Sequence, residues 1–320
     1  MSFTAVIGQD ASITVLRRTL AAGKLAHAYL FDGIEGCGKR LTAMALVEAV
    51  FCREGTGCGT CPSCRKLAGM QHPDLHLVEP DGAFIKIDQI RALQRELAYR
   101  PFEAPKKACI IDNADRLNPA AGNALLKTLE EPPGNALLIL ITANAGGMLP
   151  TILSRCQRLQ FNAIPQPAME AYLVSQGQSA ETARIAASLA GGSLKKALEV
   201  SDEEVLQDRQ TLLERLLDLS LGDITTLFAT AEELAADKEK AREMLDLVTT
   251  FLRDMLLLRG GSAEVSNRDL LPLLEKGATR FAPARLMSLI EQVAATRHAL
   301  LRNVNTRLAL EVMFMRLAEG

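Results

Sequence analysis

Ala28-Tyr29-Leu30-Phe31-Asp32-Gly33-Ile34-Glu35-Gly36-Cys37-Gly38-Lys39-Arg40 changes character twice within a few residues. Residues 28–31 form a short apolar run, as a buried strand does. A glycine-rich loop follows, and a helix-forming pattern runs from Lys39 to Phe51. Strand, glycine loop and helix opened by lysine are the context that a phosphate-binding loop requires. Glycines let backbone N–H groups turn inward as an anion nest, the helix N-terminus adds partial positive charge, and the lysine reaches the β- and γ-phosphates. A Ser or Thr hydroxyl should come next to ligate Mg²⁺, but here the residue is Arg40. Two readings stand. Gly33, Gly36, Gly38, Lys39 and Arg40 form either a degenerate site that holds ATP or ADP passively, or a relic of the fold that binds nothing.

Outward from this loop, strand-like and helix-like segments alternate. Asp10 is placed to cap a helix burying Ile13, Leu16 and Leu20. Leu75–Val78 reads as a strand, and Asp88 as the cap of a helix with Ile90, Leu93 and Leu97 on one face. Residues 108–112 and Ala136–Thr142 are continuous apolar runs, as in strands covered on both faces, and 158–161 is a last short strand. This alternation predicts an α/β domain with a parallel sheet over residues 1–162. Beyond it no strand is expected. Short helical stretches at 167–175, 179–189 and 193–200 predict a small helical domain over 163–203, and longer helical periodicity predicts an all-α domain over 204–320. In the last helix Leu301, Val304, Leu308, Val312 and Met315 make one apolar stripe, and Leu310, Met313, Phe314 and Leu317 make a second. An ordinary surface helix has one stripe, so burial on both sides is expected, within the bundle or against a neighbouring subunit, the bundle being favoured.

Composition excludes several functions. With 48% hydrophobic residues the chain can bury a sizeable core. Its 36 Lys+Arg against 38 Asp+Glu give a net charge of -2, which rules against one large basic field for nucleic acid. Aromatics at 4%, with no Trp, argue against base stacking on single strands. Residues 132–154 carry no charge but are interrupted by Gly134, Asn135, Gly146, Gly147 and Pro150, so no membrane span is expected. Residues 1–10 show no export signal, and a cytoplasmic location follows as the expectation.

Cys52, Cys58, Cys61 and Cys64 are spaced as overlapping Cys-x2-Cys knuckles plus a fourth thiolate, which suits tetrahedral Zn²⁺. Soft thiolates alone leave no open position, so the zinc would be structural; an iron–sulfur cluster is the alternative. Cys37, Cys109 and Cys156 read as small buried residues.

Ile110-Ile111-Asp112-Asn113 forms a second nucleotide-site element. Asp112, at a strand end, is placed to hold the water shell of a metal, but Asn113 stands where a hydrolysing enzyme needs a Glu, and a neutral amide is no general base. Arg91 and Arg95, at i,i+4, read as a solvated helix face, with phosphate contact as the other reading. On its own, Arg155 in Ser154-Arg155-Cys156 reads as a surface arginine.

Taken together, these segments resemble the AAA+ clamp-loader subunits of bacterial DNA polymerase III. The matching motifs include Val6-Ile7-Gly8-Gln9, His27-Ala28-Tyr29-Leu30-Phe31, the glycine loop, the cysteines and Asp112-Asn113-Ala114-Asp115-Arg116-Leu117. Leu125-Leu126-Lys127-Thr128-Leu129-Glu130-Glu131-Pro132-Pro133, Ser154-Arg155-Cys156 and the terminal Asn303-Val304-Asn305 complete them. The resemblance implies an α/β AAA+ P-loop module with a zinc insertion, then a helical lid and an all-α collar. The collar would join tau/gamma and delta subunits in a hetero-pentameric ring that acts on a sliding clamp and primed DNA. It places Thr142 at the sensor-1 position and Lys195 where sensor-2 arginine is usual. It makes Arg155 an arginine finger that completes a neighbour's ATP site. The departures at Arg40, Asn113 and Lys195 imply a non-hydrolysing stator. An ATPase motor of tau or gamma type, or another AAA+ DNA motor such as a branch-migration helicase, is the alternative. The end at Gly320, without the long extension of a tau subunit, favours the stator.

Overall fold

The computed structural model describes residues 3–262, 264–302 and 304–319; Met1, Ser2, Ala263, Asn303 and Gly320, among them one residue of the terminal motif, lie outside these. Two compact units emerge, Met1–Leu173 with Ala190–Lys196, and Val174–Leu189 with Ala197–Gly320.

The first unit is built on a parallel five-stranded sheet in the order β2-β3-β4-β1-β5, comprising β1 (Ala28–Asp32), β2 (Leu75–Val78), β3 (Lys107–Ile111), β4 (Ala136–Thr142) and β5 (Gln157–Gln160). Every residue of β1, β3 and β4 is buried, which explains why these strands read as unbroken apolar runs rather than alternating ones. Edge strand β5 buries only Leu159, and it lies one residue earlier than its sequence suggested. The helices are α1 (Asp10–Ala21), α2 (Lys39–Phe51), α3 (Pro62–Ala68), α4 (Ile87–Ala98), α5 (Pro119–Glu130), α6 (Pro150–Leu153) and, crossing the unit boundary, α7 (Gln166–Ser175). Helix α2 buries residues all round, including Ala43, Leu46, Val47 and Phe51, as a helix enclosed by its unit must.

Two helix starts differ from expectation. Asp10 is the first helical residue of α1 and Gln9 takes the capping position, because the Gln9 side chain is drawn into long-range bonds with Cys37 O (3.1 Å) and Asn162 O (2.7 Å). Leu20 is only half-buried. Lys86 precedes α4, so Asp88 lies inside the first turn, where a carboxylate favours the positive end of the helix. The expected Ile90, Leu93 and Leu97 face is buried.

The segments 167–175, 179–189 and 193–200 appear as α7, α8 (Ala180–Leu189) and α9 (Leu194–Val200), which are divided between the two units. The rest of the second unit is helical: α10 (Glu203–Leu217), α11 (Ile224–Ala235), α12 (Lys238–Arg259), α13 (Leu271–Arg280), α14 (Pro283–Leu301) and α15 (Thr306–Ala318). Its core gathers Leu245, Phe251, Met255, Leu274, Phe281, Leu286, Leu310 and Phe314. Within it, fully buried Asp254 accepts bonds from the backbone N–H groups of Ser266 and Asn267, each at 2.8 Å, which satisfies a charge that would otherwise be costly. The expectation of two buried stripes on one last helix fails: α15 begins at Thr306, so Leu301 ends α14 and Val304 lies between the two helices, and only one stripe is buried within the bundle. Leu310, Met313, Phe314 and Leu317 are buried, but Leu301, Val304, Leu308 and Val312 are 59%, 44%, 57% and 40% exposed. No helix among the described residues is long and apolar enough to cross a membrane.

Candidate functional site

Parallel pairing brings the candidate residues to one sheet edge. Asp32 lies opposite Thr142, and Ile111 opposite Leu140, so the loops after β1, β3 and β4 emerge together at the strands' carboxyl ends, where open α/β sheets place ligands. After β1 the chain turns through Gly36 and Gly38, with φ of 76° and 98°, into the N-terminus of α2. Only glycine fits at position 36. A β-carbon there would lie 2.2 Å from Ser193 Oγ and 2.8 Å from the Lys195 β-carbon, and Gly36 O accepts from Leu194 N at 3.0 Å. Segment 190–196, which belongs to the same unit, thus packs directly on the loop.

The loop's cations are engaged internally. Lys39, 6% exposed, donates to Gly33 O and Ile34 O, each at 2.6 Å. Arg40 Nη1 pairs with Glu79 and with Asp112 Oδ2 at 3.2 Å. Its guanidinium therefore holds the carboxylate that the sequence assigns to a metal's water shell. Lys195 pairs with Glu35 at 2.8 Å, and its hydrogen bond holds the Glu35 carboxyl below the usual range. Asn113, with φ of 53°, adopts the left-handed conformation that asparagine tolerates better than most residues. Thr142 Oγ1 donates to Asp115 at 2.7 Å and accepts from Asn144 N at 2.9 Å, which couples the ends of β3 and β4. Among the described residues of this edge, the Asp112 carboxylate is thus paired with a cation, and the residue after it, Asn113, is a neutral amide.

The cysteines assemble locally. The sulfurs of Cys52, Cys58, Cys61 and Cys64 all lie within 4.8 Å of one another. Backbone N–H groups of Glu54 and Cys58 donate to Cys52 Sγ, and that of Cys61 to Cys58 Sγ, each at 3.4 Å. Burial opposes ionisation of Cys52, but these N–H groups outweigh it and bring the thiol down to about 6. Cys64, buried and beside the other thiols, is pushed up to about 12. A central dication would relieve that conflict, and the all-sulfur donor set fits structural zinc. Of the other cysteines, Cys37 and Cys109 are buried and Cys156 is half-buried, with burial raising the thiol of each.

Arg155 follows α6 and stands apart from the loop residues. Its side chain is 35% exposed, Nη2 pairs with Glu130 Oε1 at 2.6 Å, and Nη1 donates to Thr151 O at 3.0 Å. Arg91 is 63% exposed and pairs only loosely with Asp88, at 3.7 Å, as a solvated helix face would. Sequence reasoning missed Glu35, Glu79, Asp115 and Glu130. Each matters through a partner distant in the chain, a relation that local spacing does not record.

A family profile described as DNA polymerase III, delta subunit, matches residues 8–165, and its C-terminal counterpart matches 203–319. The chain is 33% identical to DNA polymerase III subunit delta' of Bacillus subtilis (strain 168), covering 98% of this chain and 97% of that protein. It is 29% identical to the Escherichia coli (strain K12) delta' subunit, over 92% and 90%. Identity to a gamma/tau subunit of Mycobacterium tuberculosis is 30%, over 99% of this chain but 61% of the relative. Among solved structures, a gamma subunit-related protein of Thermotoga maritima shares the fold, with a TM-score of 0.50 at 20% identity, over 95% of this chain and 98% of that one.

Proposed function

The chain belongs to the DNA polymerase III delta' family of clamp-loader subunits, and from that premise we propose that it is a stator: it hydrolyses no ATP itself and lends Arg155 to the ATP site of a neighbouring subunit. The observation that carries this reading is the Arg40 guanidinium bound between Glu79 and Asp112. A permanent cation sits on the carboxylate that a motor uses for Mg²⁺, and Asn113 cannot polarise water. A second tau/gamma-type motor reading is disfavoured by the same contacts. In this assignment residues 1–162 are the AAA+ module, 163–203 the lid and 204–320 the collar. The cysteines hold one structural zinc. The protein acts in the cytoplasm, within a hetero-pentamer with tau/gamma and delta subunits that delivers the sliding clamp to primed DNA.

The purified chain is expected to show no ATP turnover above background, and any nucleotide it retains should bind equally well with Mg²⁺ or EDTA. Arg40→Ser removes the cation, supplies a hydroxyl and frees Asp112, so titration with a fluorescent ATP analogue should then become Mg²⁺-dependent while hydrolysis stays absent. Robust wild-type ATPase activity abolished by Lys39→Ala would contradict the stator assignment.

Exposed apolar residues on and just before α15 support the collar assignment. Leu308 and Val312, four residues apart on α15, are exposed and uncovered among the described residues, as are Leu301 at the end of α14 and Val304 between the two helices, and a neighbouring subunit is the proposed cover. Because Leu308 and Val312 are 57% and 40% exposed, covering what remains is worth roughly 1 kcal/mol each, so replacing both with Asp should weaken ring incorporation by about 10-fold or more. Because both face outward, the monomer's melting temperature should barely change. Normal co-elution of the double variant with the other subunits would refute this use of the stripe.

A further inference from the structure

Arg155 reaches its neighbour from a side chain that is already occupied. Of the terminal guanidinium nitrogens, Nη1 donates to Thr151 O at 3.0 Å and Nη2 is paired with Glu130 Oε1 at 2.6 Å. Thr151 O is a backbone acceptor only four residues back, in α6, and Nη1 also donates to Ser154 Oγ at 3.4 Å. Glu130 belongs to a different helix, as the last residue of α5. Its position is not explained by helix stability, since a carboxylate at a helix C-terminus meets the negative end of the dipole. The pair is also open to water, with side-chain exposures of 35% for Arg155 and 47% for Glu130, so its hold is weak enough to exchange.

We propose that Glu130 is a positioning residue that holds the Arg155 guanidinium between turnovers and is displaced by phosphate oxygen when the neighbouring subunit binds ATP. The proposal rests on the trans-finger reading above. A γ-phosphate seated on this guanidinium would come close to the Glu130 carboxylate, and the two anions repel. Binding of the neighbour's nucleotide therefore exchanges one anionic partner for another. The carboxylate competes equally with bound ATP and with the transition state, so it acts on KM rather than on kcat. Without it the guanidinium stays tethered by Thr151 O but carries uncompensated charge toward the incoming nucleotide.

The test uses the complete complex reconstituted with its ATPase subunits, measuring KM for ATP and kcat of DNA-stimulated hydrolysis. Glu130→Gln keeps the side-chain shape and an acceptor oxygen but removes the charge. It should lower KM by about 1.5- to 5-fold, the range of an exposed ion pair, with a smaller change in kcat. The gap from wild type should narrow as salt rises, because screening already weakens the pair. Glu130→Asp, which keeps the charge, should stay nearer to wild type. In an Arg155→Ala background Glu130→Gln should have no effect; an effect there would mean that Glu130 acts elsewhere and would overturn the proposal. An unchanged KM, or a fall in kcat like that of Arg155→Ala, would also overturn it while leaving the finger intact. A wild-type result for Arg155→Ala itself would instead remove the finger reading beneath it.

Discussion

Arg155→Ala is expected to leave folding, metal content and ring assembly intact while DNA-stimulated ATP hydrolysis and clamp loading by the reconstituted complex both fall. The fold should tolerate the change because the side chain contributes an exposed ion pair to Glu130, worth about 0.2–1 kcal/mol, and local bonds to the Thr151 carbonyl and, at 3.4 Å, the Ser154 hydroxyl. The neighbour's active site should not. A guanidinium is always charged and can bond two phosphoryl oxygens at once, so it stabilises charge developing on a γ-phosphate. Supplied in trans, such a finger is worth roughly 10³–10⁵ in rate at the site it completes, and a complex with several sites should lose less overall. On the proposed stator reading the side chain has no such task within this chain, because Arg40 pairs with Asp112 and the neighbouring Asn113 is a neutral amide. Arg155→Lys should recover only part of the loss, since an ammonium is a point charge without the bidentate fork. Clamp loading at the wild-type rate by a normally assembled Ala variant would return Arg155 to an ordinary surface residue.

What the sequence disclosed follows the range of the interactions involved. Strands β1, β3 and β4 were legible because a strand buried on both faces must be apolar throughout, and Ala136–Thr142 has no other reading at that length. Helix α2 was legible at about Lys39–Phe51, since the glycine loop marks its start at Gly38 and a glycine-rich segment follows its end. The cysteine cluster was legible because all its ligands come from one short segment. The partners of the cations were not. Glu79 lies 39 residues from Arg40 and Asp112 lies 72, and only the parallel sheet brings these positions to one edge. The terminal helix misled for a related reason. Periodicity reveals that a face is apolar but not which molecule covers it, and the Leu308 face is left open by its own bundle. Gln9 shows a tertiary bond overriding a local rule, since Asp10 is the better cap by residue type yet Gln9 is fixed by Cys37 and Asn162.

Elemental analysis of the purified protein should find about one zinc per chain, and Cys61→Ser combined with Cys64→Ser should abolish it. Zinc in such sites supplies ~10–16 kcal/mol of apparent binding energy in small peptides, far more than the short turn holding Cys58 and Cys61 could gain from burial. The consequence should nevertheless be local. Helix α3 buries only Cys64 and Leu67, and the turn before it is rich in glycine, with Gly55, Gly57 and Gly59 all at positive φ. The surroundings, by contrast, are braced without metal. Asp74 accepts bonds from the backbone N–H groups of Phe102, Glu103 and Ala104 at 2.7–2.9 Å, and the Phe51 and His72 rings pack 4.7 Å apart. Chelation should therefore accelerate hydrogen exchange over residues 53–70 while β1, β3 and β4 keep their protection. The C-terminal helical unit, which has its own core and is the proposed collar, should still assemble into the ring. Global unfolding on chelation would show that the metal supports the whole unit rather than the insertion. Zinc retained by the double serine variant would place it elsewhere, and iron with acid-labile sulfide in its stead would assign the cysteines to a cluster. Full zinc occupancy with loss confined to 53–70 would leave the sheet as the frame that holds the nucleotide loop and Arg155, and the metal as the clasp of one surface module.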